Sequence, residues 1–540
     1  MATIPTRTDV LVVGYGPVGA ALAALLGGYG VRTLVVDRAE GILDMPRAIA
    51  LDNEALRILQ MAGLPEGTFE IRAIPRVRYH SPYAGEFAQV NTAGCLDGHP
   101  RLVTFYQPEL ERALRRRVAD LPSVMVATSV ELVGFRDGPD EVVATLRDAD
   151  GAEVEVAARY LVASDGAAST VRKAIGQEFA GRTYAEEWLI VDAEGSGRTP
   201  GEIEFDCDPR RPTPHMPAPG GRERWEFMLH PGESRECMES TETVRELLAP
   251  YGDASRMTIA RRAVYRFHAR TCERFLAGRV ILAGDAAHVT PPFVGQGLVA
   301  GLRDAANLAW KLAWVLRGAA APSVVDSYDT ERRPHAKAMI SLARFMGHLI
   351  MPRSRARAFL VHNTVRTLRL LPWVRAWFDD LRIKPQNTFR AGLFAAGAAG
   401  AGHWFPQGLV RTESGDVQLS DDVLGPRLVA LGAGFEPAAN VDAATLADWA
   451  AAGGATMRID PRGTRVPRAC EDLTGALVPA ALPVGSMAVL RPDRTVLHSG
   501  PAAEATRLLR ESLALLGARP LQAHANPESL PTESVEPCRP

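Results

Sequence analysis

Residues Gly14-Tyr15-Gly16-Pro17-Val18-Gly19 constrain this chain more than any other segment. They follow a β-branched run at Asp9–Val13 and open a stretch of helical composition, Val18–Leu26, with Gly30 as its expected C-cap. A second apolar strand follows at Thr33–Val36. Strand, glycine turn, helix and strand within ~30 residues make a βαβ unit. Glycines at these spacings let the backbone turn tightly and approach a pyrophosphate, which then lies at the positive end of the helix. Eighteen residues after Gly19 stands Asp37, at the end of the second strand. A carboxylate there accepts hydrogen bonds from both hydroxyls of an adenosine ribose. It favours an unphosphorylated ribose, as in FAD or NAD.

The same glycines exclude a membrane reading. Residues 10–31 carry no charge and are long enough to span a bilayer, which takes ~20 residues. They also contain six glycines and a proline, and Asp9 precedes them where a signal peptide would have a cationic flank. The expectation is a soluble, cytoplasmic protein with no membrane partner. With 61 basic against 63 acidic residues and a net charge of −2, nothing points to nucleic acid. The six cysteines (Cys95, Cys207, Cys237, Cys272, Cys470 and Cys538) form no Cys-x-x-Cys pair. Reduced thiols are expected, with neither a disulfide framework nor a metal site. A length of 540 residues suggests ~three structural units.

Two further segments carry chemistry. Ser164-Asp165-Gly166 follows the strand Tyr160–Ala163 and leads to Arg172. Asp-Gly suits a sharp turn, and an Asp165–Arg172 pair can fold back on itself; alternatively Asp165 simply caps a helix. Gly284-Asp285-Ala286-Ala287-His288 follows the strand Val280–Ala283 and precedes Pro291-Pro292-Phe293-Val294-Gly295-Gln296-Gly297. An acid at such a strand end reaches a ribityl chain. The Gly-Gln-Gly loop lets backbone amides approach a flat ring, at the start of a helix expected from about Gly301 to Leu316. A helix N-terminus aimed at that ring would stabilise negative charge on a reduced flavin. Asp285 should then face the sugar, and His288 reads as structural.

These three motifs, in this order, resemble the group A flavoprotein aromatic hydroxylases, relatives of p-hydroxybenzoate hydroxylase and phenol hydroxylase, from about Asp9 to Leu316. The resemblance implies an α/β, Rossmann-type FAD-binding domain with tightly bound FAD. It places Gly14, Gly16, Pro17, Val18, Gly19, Asp37 and Arg38 at the ADP half, and Asp165 and Gly166 at both FAD and NAD(P)H. Gly284 and Asp285 fall at the ribityl chain, with Pro292, Gly295, Gln296 and Gly297 at the flavin. Arg47 and Gln107 fall near the phosphates or the flavin. NADH or NADPH is then a transient co-substrate, and O2 reacts through a C4a-hydroperoxyflavin to hydroxylate a small aromatic substrate. One position departs: after Gly-Gln-Gly the family usually has an Asn where this chain has Val299, which bears on the flavin geometry.

A narrower resemblance, to 3-(3-hydroxyphenyl)propionate hydroxylases that form a catechol, rests on Asp206-Cys207-Asp208-Pro209, Arg224–Met228 with Pro231-Gly232-Glu233, and Arg491-Pro492-Asp493-Arg494. It implies a homodimer and a thioredoxin-like C-terminal domain, structural because it lacks Cys-x-x-Cys. The expected units are a discontinuous FAD-binding domain (1–75, 98–178, 275–395), an inserted β-sheet substrate domain (76–97, 179–274), a C-terminal domain (403–520) and a disordered tail (521–540). Residues 395–402 read as a linker. The catalytic residue is left open. Arg224, Tyr265 and His268 are the substrate candidates, any of which could orient a phenol or clamp a carboxylate. The alternatives are a polyketide or drug hydroxylase of the same family and a non-catalytic flavin-binding protein. Substrate-stimulated NADH oxidation is expected of the enzyme.

Overall fold

The computed structural model describes residues 4–517, apart from 44, 45, 198, 199, 381, 465 and 468. The expected tail at 521–540 lies outside the described residues. The chain opens with β1 (Arg7–Val13), α1 (Pro17–Gly28) and β2 (Thr33–Asp37). β1 and β2 pair in parallel from Val10↔Thr33 to Val13↔Val36. Both are buried on both faces over this stretch, which is why they read as continuous apolar runs instead of alternating ones.

The chain then leaves for a second sheet with β3 (Arg76–Ser81) and β4 (Gly85–Asn91). It returns beside β1 as β5 (Glu153–Ala163), in parallel register from Arg7↔Ala157 to Val13↔Ala163. Three long strands, β6 (Phe179–Glu194), β7 (Arg222–Met228) and β8 (Thr258–Cys272), rejoin the second sheet, and β9 (Val280–Leu282) comes back against β5. Each sheet has eight strands; in the second, β8, β6 and β7 are neighbours and β3 and β4 close one edge. In the first sheet β1, β5 and β9 lie side by side and parallel. The three sequence motifs leave the C-terminal ends of these three strands, the place where open α/β sheets bind ligands. Sequence distance dissolves into one edge.

Four helices follow: α2 (Gly297–Leu316), α3 (Ser323–Ile350), α4 (Arg355–Leu368) and α5 (Pro372–Asp379). α2 begins one turn earlier than expected. Gly301 is inside it, at a point where a Cβ would lie 2.5 Å from Val18 Cγ2, so this glycine is a helix-packing residue and not a loop residue. Every residue from Val299 to Val315 is buried. α4 and α5 pack on β4: His362 stacks on Phe87 (centroids 4.1 Å) and bonds Ser81 Oγ (2.8 Å), and Arg369 Nη1 donates to Phe87 O (3.2 Å). Residues 355–379, expected within the FAD-binding unit, therefore sit on the second sheet.

The C-terminal region contributes β10 (Leu428–Ala433), α6 (Ala443–Ala451), β11 (Gly454–Asp460), β12 (Ser486–Leu490), β13 (Val496–Pro501) and α7 (Ala505–Leu516). β10 and β11 are parallel, β12 is antiparallel to β10, and β13 is antiparallel to β12 within a seven-stranded sheet. This region is not free-standing. Leu428, Trp449 and Leu508 share one apolar cluster with Trp310 and Trp314 of α2, and Trp314 Nε1 donates to Ala452 O (2.8 Å). Buried ion pairs cross the same boundary, Arg491–Glu331 (2.7 Å) and Arg57–Asp421 (2.7 Å). Removing one partner of such a pair costs about 3–5 kcal/mol. Residues 395–402 are likewise tied down, Ala395 N donating to Leu497 O (2.8 Å) and Gly402 N to Val496 O (2.9 Å).

Candidate active site

The first motif is built by backbone geometry. Gly14 has φ +103°, and a Cβ there would lie 2.4 Å from Ser164 O; only glycine fits. A Cβ on Gly19 would meet Gly14 O at 2.0 Å, so α1 seats directly on the turn. Gly16, by contrast, has no atom within 4 Å of its Cβ direction. Asp37 is held by the glycine turn and by its own loop: Oδ2 accepts from Tyr15 N (2.6 Å) and Oδ1 from Ala39 N (2.8 Å). Ser164 Oγ bonds Val13 O (3.1 Å) and Gly14 O (3.0 Å), stitching the first motif to the second.

Asp165 does not pair with Arg172. Its Oδ2 accepts from Thr170 N (2.8 Å), and the helix cap proper is Ser169, whose Oγ accepts from Arg172 N (3.0 Å). The Arg172 guanidinium instead lies over the Phe179 ring (3.7 Å) and donates to Ala286 O (3.3 Å). Asp165 Oδ1 is buried without a hydrogen-bond partner.

One cavity of about 1080 Å³ runs from these turns to the second sheet. Its wall includes Gly14, Gly16, Pro17, Val18, Asp37, Arg38, Arg47, Gln107, Asp165, Gly166, Asp285, Pro292, Gly295, Gln296 and Gly297. Gly19 and Gly284 stand behind it. The open side of Gly16, the orphaned Asp165 acceptor and the helix start at Gly297 fit a flavin dinucleotide laid along the wall. The volume is slightly above the usual ligand-pocket range of about 300–1,000 Å³, room for a dinucleotide and a ring. Asp285 is held above the ordinary carboxylate range by burial, which Arg47 and His288 oppose. His288 is structural, as expected: buried, it bonds Asp304 (2.7 Å), which also accepts from Gly284 N (3.0 Å).

Further contacts define how these residues are held. Gln107 Oε1 accepts from Arg47 N and Ala48 N (both 2.8 Å), so it fixes the loop that carries Arg47. Val299 faces the core and is fully buried, while Leu298 lines the cavity. Beneath the Gly-Gln-Gly turn lies a buried ion cluster with no counterpart in the sequence reading. Arg303 bonds Glu54 (2.6 Å), Asp52 (3.1 Å) and Gln296 (3.0 Å), and Lys384 Nζ bonds Asp52 (2.7 Å) and Glu54 (2.8 Å). Burial alone would raise both acids, but Arg303 and Lys384 outweigh it and hold Glu54 at about 2.

The far half of the cavity is a sheet face. Side chains alternate along a strand, so cross-strand partners of one parity share a face. The pairings Arg224↔Asp192↔Arg261, Glu226↔Ile190↔Ala263 and Met228↔Trp188↔Tyr265 set out three successive rows. Arg224 is not on the cavity wall. Fully buried, it bonds Asp192 (2.6 and 3.0 Å), Arg47 O (2.8 Å) and Pro46 O (2.9 Å). It is a framework residue that ties the substrate sheet to the Arg47 loop. Tyr265 and His268 do line the cavity. Tyr265 OH accepts from Arg261 Nη2 (2.7 Å), which leaves its own proton free to donate. His268 Nδ1 bonds Thr183 Oγ1 (3.1 Å), and burial, then Arg270 and Arg266, depress its pKa.

Glu226 escaped the sequence reading. It lines the cavity from the row between those of Arg261 and Tyr265, opposite Ile190 and one strand from the small Ala263, and burial pushes it up to about 7, with Asp192 adding and Arg224 and Arg261 opposing. The alternation that singled out Arg224 puts Glu226 on the same strand face, two residues on.

Residues 7–343 match the family model described as FAD binding domain, and residues 402–515 match the HcaD C-terminal domain. A 3-(3-hydroxy-phenyl)propionate/3-hydroxycinnamic acid hydroxylase of Burkholderia vietnamiensis is 39% identical over 510 residues, covering 91% of this chain and 93% of its own length. The chain belongs to the FAD-dependent aromatic hydroxylases. This flavoprotein monooxygenase is also 35% identical to the Escherichia coli hydroxylase of the same name over 505 residues, 90% and 91% of the two chains. Among solved structures it is similar to the flavin-dependent monooxygenase PieE in complex with FAD and substrate (TM-score 0.78, 20% identity, 95% of this chain and 100% of that one). It is similar too to OxyS anhydrotetracycline hydroxylase from Streptomyces rimosus (TM-score 0.75, 25% identity, 95% and 100%). Among the described residues no helix is long and apolar enough to cross a membrane.

Proposed function

We propose that this hydroxylase acts on a phenol carrying a short carboxylate side chain, of the 3-(3-hydroxyphenyl)propionate type, and converts it to a catechol with NAD(P)H and O2. The observation that carries this reading is the single cavity joining the dinucleotide wall to a sheet face where Arg261, Glu226 and Tyr265 stand in successive rows. Bound FAD supplies the redox chemistry, accepting hydride from the nicotinamide and activating oxygen.

The chain's own residues prepare the ring. A neutral phenol, with a pKa near ~10, is a poor nucleophile at carbon. Glu226 is the group we assign to take its proton. Transfer to an acid near 7 is uphill by about 4 kcal/mol, and a hydrogen bond from Tyr265 OH to the developing phenolate narrows that gap. Arg261 polarises Tyr265 and offers positive charge to the same end. The apolar wall (Phe267, Phe293, Met346 and Phe378 among others) holds the ring and excludes water.

The C-terminal unit is proposed to be thioredoxin-like. The parallel β10–α6–β11 crossover followed by the antiparallel β12–β13 hairpin and α7 supports this. The homodimer is proposed with it, its test being the molar mass of the holoenzyme by light scattering.

A second reading, a fused-ring substrate, draws support from the cavity volume and from the tetracycline-type solved relative. The deciding experiment is NADH oxidation by the yellow holoenzyme with and without 3-(3-hydroxyphenyl)propionate, alongside product mass. Stimulation with a product one oxygen heavier is expected. Stimulation without oxygen insertion, or none, would redirect the assignment to larger phenols.

A further inference from the structure

Away from the cavity, one surface departs sharply from the rest of the chain. From Lys337 to Phe378 there are seven arginines and one lysine and no acidic residue, in a protein whose overall charge is −2. Over the same region the surface is apolar. Eight of the fifteen exposed large hydrophobic side chains among the described residues fall between positions 345 and 377, including all four exposed aromatics. Leu370 is 80% exposed, Trp373 72%, Leu360 67% and Phe359 58%. Scattered apolar residues on a surface are ordinary; a cluster of this kind marks an interaction site.

The helix pattern accounts for the arrangement. On α4 the residues Ala358, Val361, His362 and Val365 face inward against the second sheet. Leu360, Thr364 and Leu368 recur at i+4 along the opposite stripe, and the chain then turns through Leu370 and Leu371 into α5, which exposes Trp373 and Trp377. Charge flanks this ridge. Arg353 and Arg357, with Arg344 of α3 and Arg182 of β6, converge on His348, whose pKa falls through burial and then through these four cations. Arg344, Arg353 and Arg357 have no ion-pair partner among the described residues. Arg369 and Arg375 share Asp379.

We propose that the α4–α5 face is a peripheral docking surface for an anionic phospholipid bilayer. Exposed Trp, Phe and Leu beside unpaired arginines is the composition of a helix that lies in the headgroup region, where apolar burial and attraction to anionic lipid add. Charge argues against a second copy as the occupant, because a two-fold contact would set this acid-free stretch against itself. The location has a consequence for the enzyme. Phe378 of α5 and Leu342, Met346 and Leu349 of α3 line the cavity from the inner side of the same helices. The docked face and the substrate chamber are two sides of one wall.

The test is flotation of the full-length holoenzyme with vesicles of phosphatidylglycerol and phosphatidylcholine, against phosphatidylcholine alone, at low and high salt. Binding to the anionic vesicles about tenfold or more above the neutral ones, weakened by salt, is expected. A Leu370→Ser/Trp373→Ser variant and an Arg353→Glu/Arg357→Glu variant should each lose that binding while retaining FAD and substrate-stimulated NADH oxidation. Failure of the wild type to float with anionic vesicles would overturn the proposal, as would undiminished flotation of both variants. Light scattering without lipid gives a third readout. If the Leu370→Ser/Trp373→Ser change halves the molar mass, the face is an interface between copies and the lipid assignment falls.

Discussion

The two halves of the cavity are made in opposite ways. The dinucleotide half is made of backbone: three turns leaving three adjacent parallel strands and shaped by glycines, of which Gly14 and Gly19 have neighbours that leave no room for a Cβ. The phenol half is made of side chains on one sheet face, where carboxylates and guanidinium groups hold one another in place across strands. A backbone site tolerates almost no change at its few glycines and is indifferent to much else. A side-chain site depends on which charged group faces the ligand and which faces its neighbour. The two should therefore fail differently when mutated.

Gly14→Ala should fail completely. With φ at +103° and Ser164 O at 2.4 Å from the new Cβ, neither the turn nor its contact with the second motif survives. The purified variant should be colourless and should not regain the visible flavin spectrum on incubation with FAD. A yellow, active Gly14→Ala enzyme would mean that the turn can move, and the contrast between the halves would lose its basis.

Glu226→Gln should leave FAD in place and cut kcat by about 10²-fold, the usual worth of a positioned general base. In the wild type the active form is the carboxylate, so kcat should fall as pH drops below about 7, and the variant should lose that acid limb. Stability runs the other way. The folded pKa lies above the unfolded value of 4.5, so the folded state favours the protonated acid. Its penalty is absent below pH 4.5, grows as pH rises through 7 and levels off at about 3 kcal/mol for a fully buried group. The Gln variant should thus melt higher than the wild type at pH 8 and equally at pH 4. Equal melting at pH 8 with a normal pH–rate profile would remove Glu226 from the chemistry.

The contrast also explains what could be read from the sequence. The turns were legible because the physical demand on them, a tight approach of backbone to a bound dinucleotide, selects glycine and fixes its spacing. All three motifs found their places along one sheet edge. The phenol half was not legible in the same way. Arg224 and Glu226 stand two residues apart on one strand face, yet one is tied to Asp192 and the Arg47 loop while the other faces the cavity. Cross-strand register decides between them, and register is a long-range property. The Asp52–Glu54–Arg303–Lys384 cluster joins residues 332 positions apart at its extremes, so no local pattern announces it. Helices α4 and α5, within the stretch 275–395 expected to belong to the FAD-binding unit, pack on the second sheet, and no local pattern announces this because their inward faces fit any apolar surface.

Arg224→Ala sharpens the comparison at the seam between the halves. Removing this guanidinium leaves the part-buried Asp192 with Arg261 alone at 3.3 Å and frees the Arg47 carbonyl, while Pro46 O keeps its bond from Arg261 Nη1. A loss of about 3 kcal/mol is expected from breaking the buried pair, read as a lower melting temperature, with weaker FAD retention through the loosened Arg47 loop. The KM for the phenol should change little in the fraction that keeps its flavin. A large rise in KM at unchanged stability would instead make Arg224 a substrate ligand.

The smallest effect should come from Tyr265→Phe, which removes one hydroxyl and nothing else. The ring still packs against the apolar cluster that contains Trp188 and Phe267, so stability should fall by no more than about 1 kcal/mol, the net worth of the hydrogen bond from Arg261. If Tyr265 donates to the developing phenolate, kcat should drop about tenfold, one hydrogen bond's share of the barrier, while KM stays close to wild type because the neutral phenol is bound almost as well. If the hydroxyl served only to hold Arg261, the change would free Nη2 while Nη1 stays on Asp192 and Pro46 O, and the carboxylate-bearing substrate would show a changed KM at unchanged kcat. The split between kcat and KM therefore reports whether this end of the sheet face meets the reacting oxygen or the substrate's side chain.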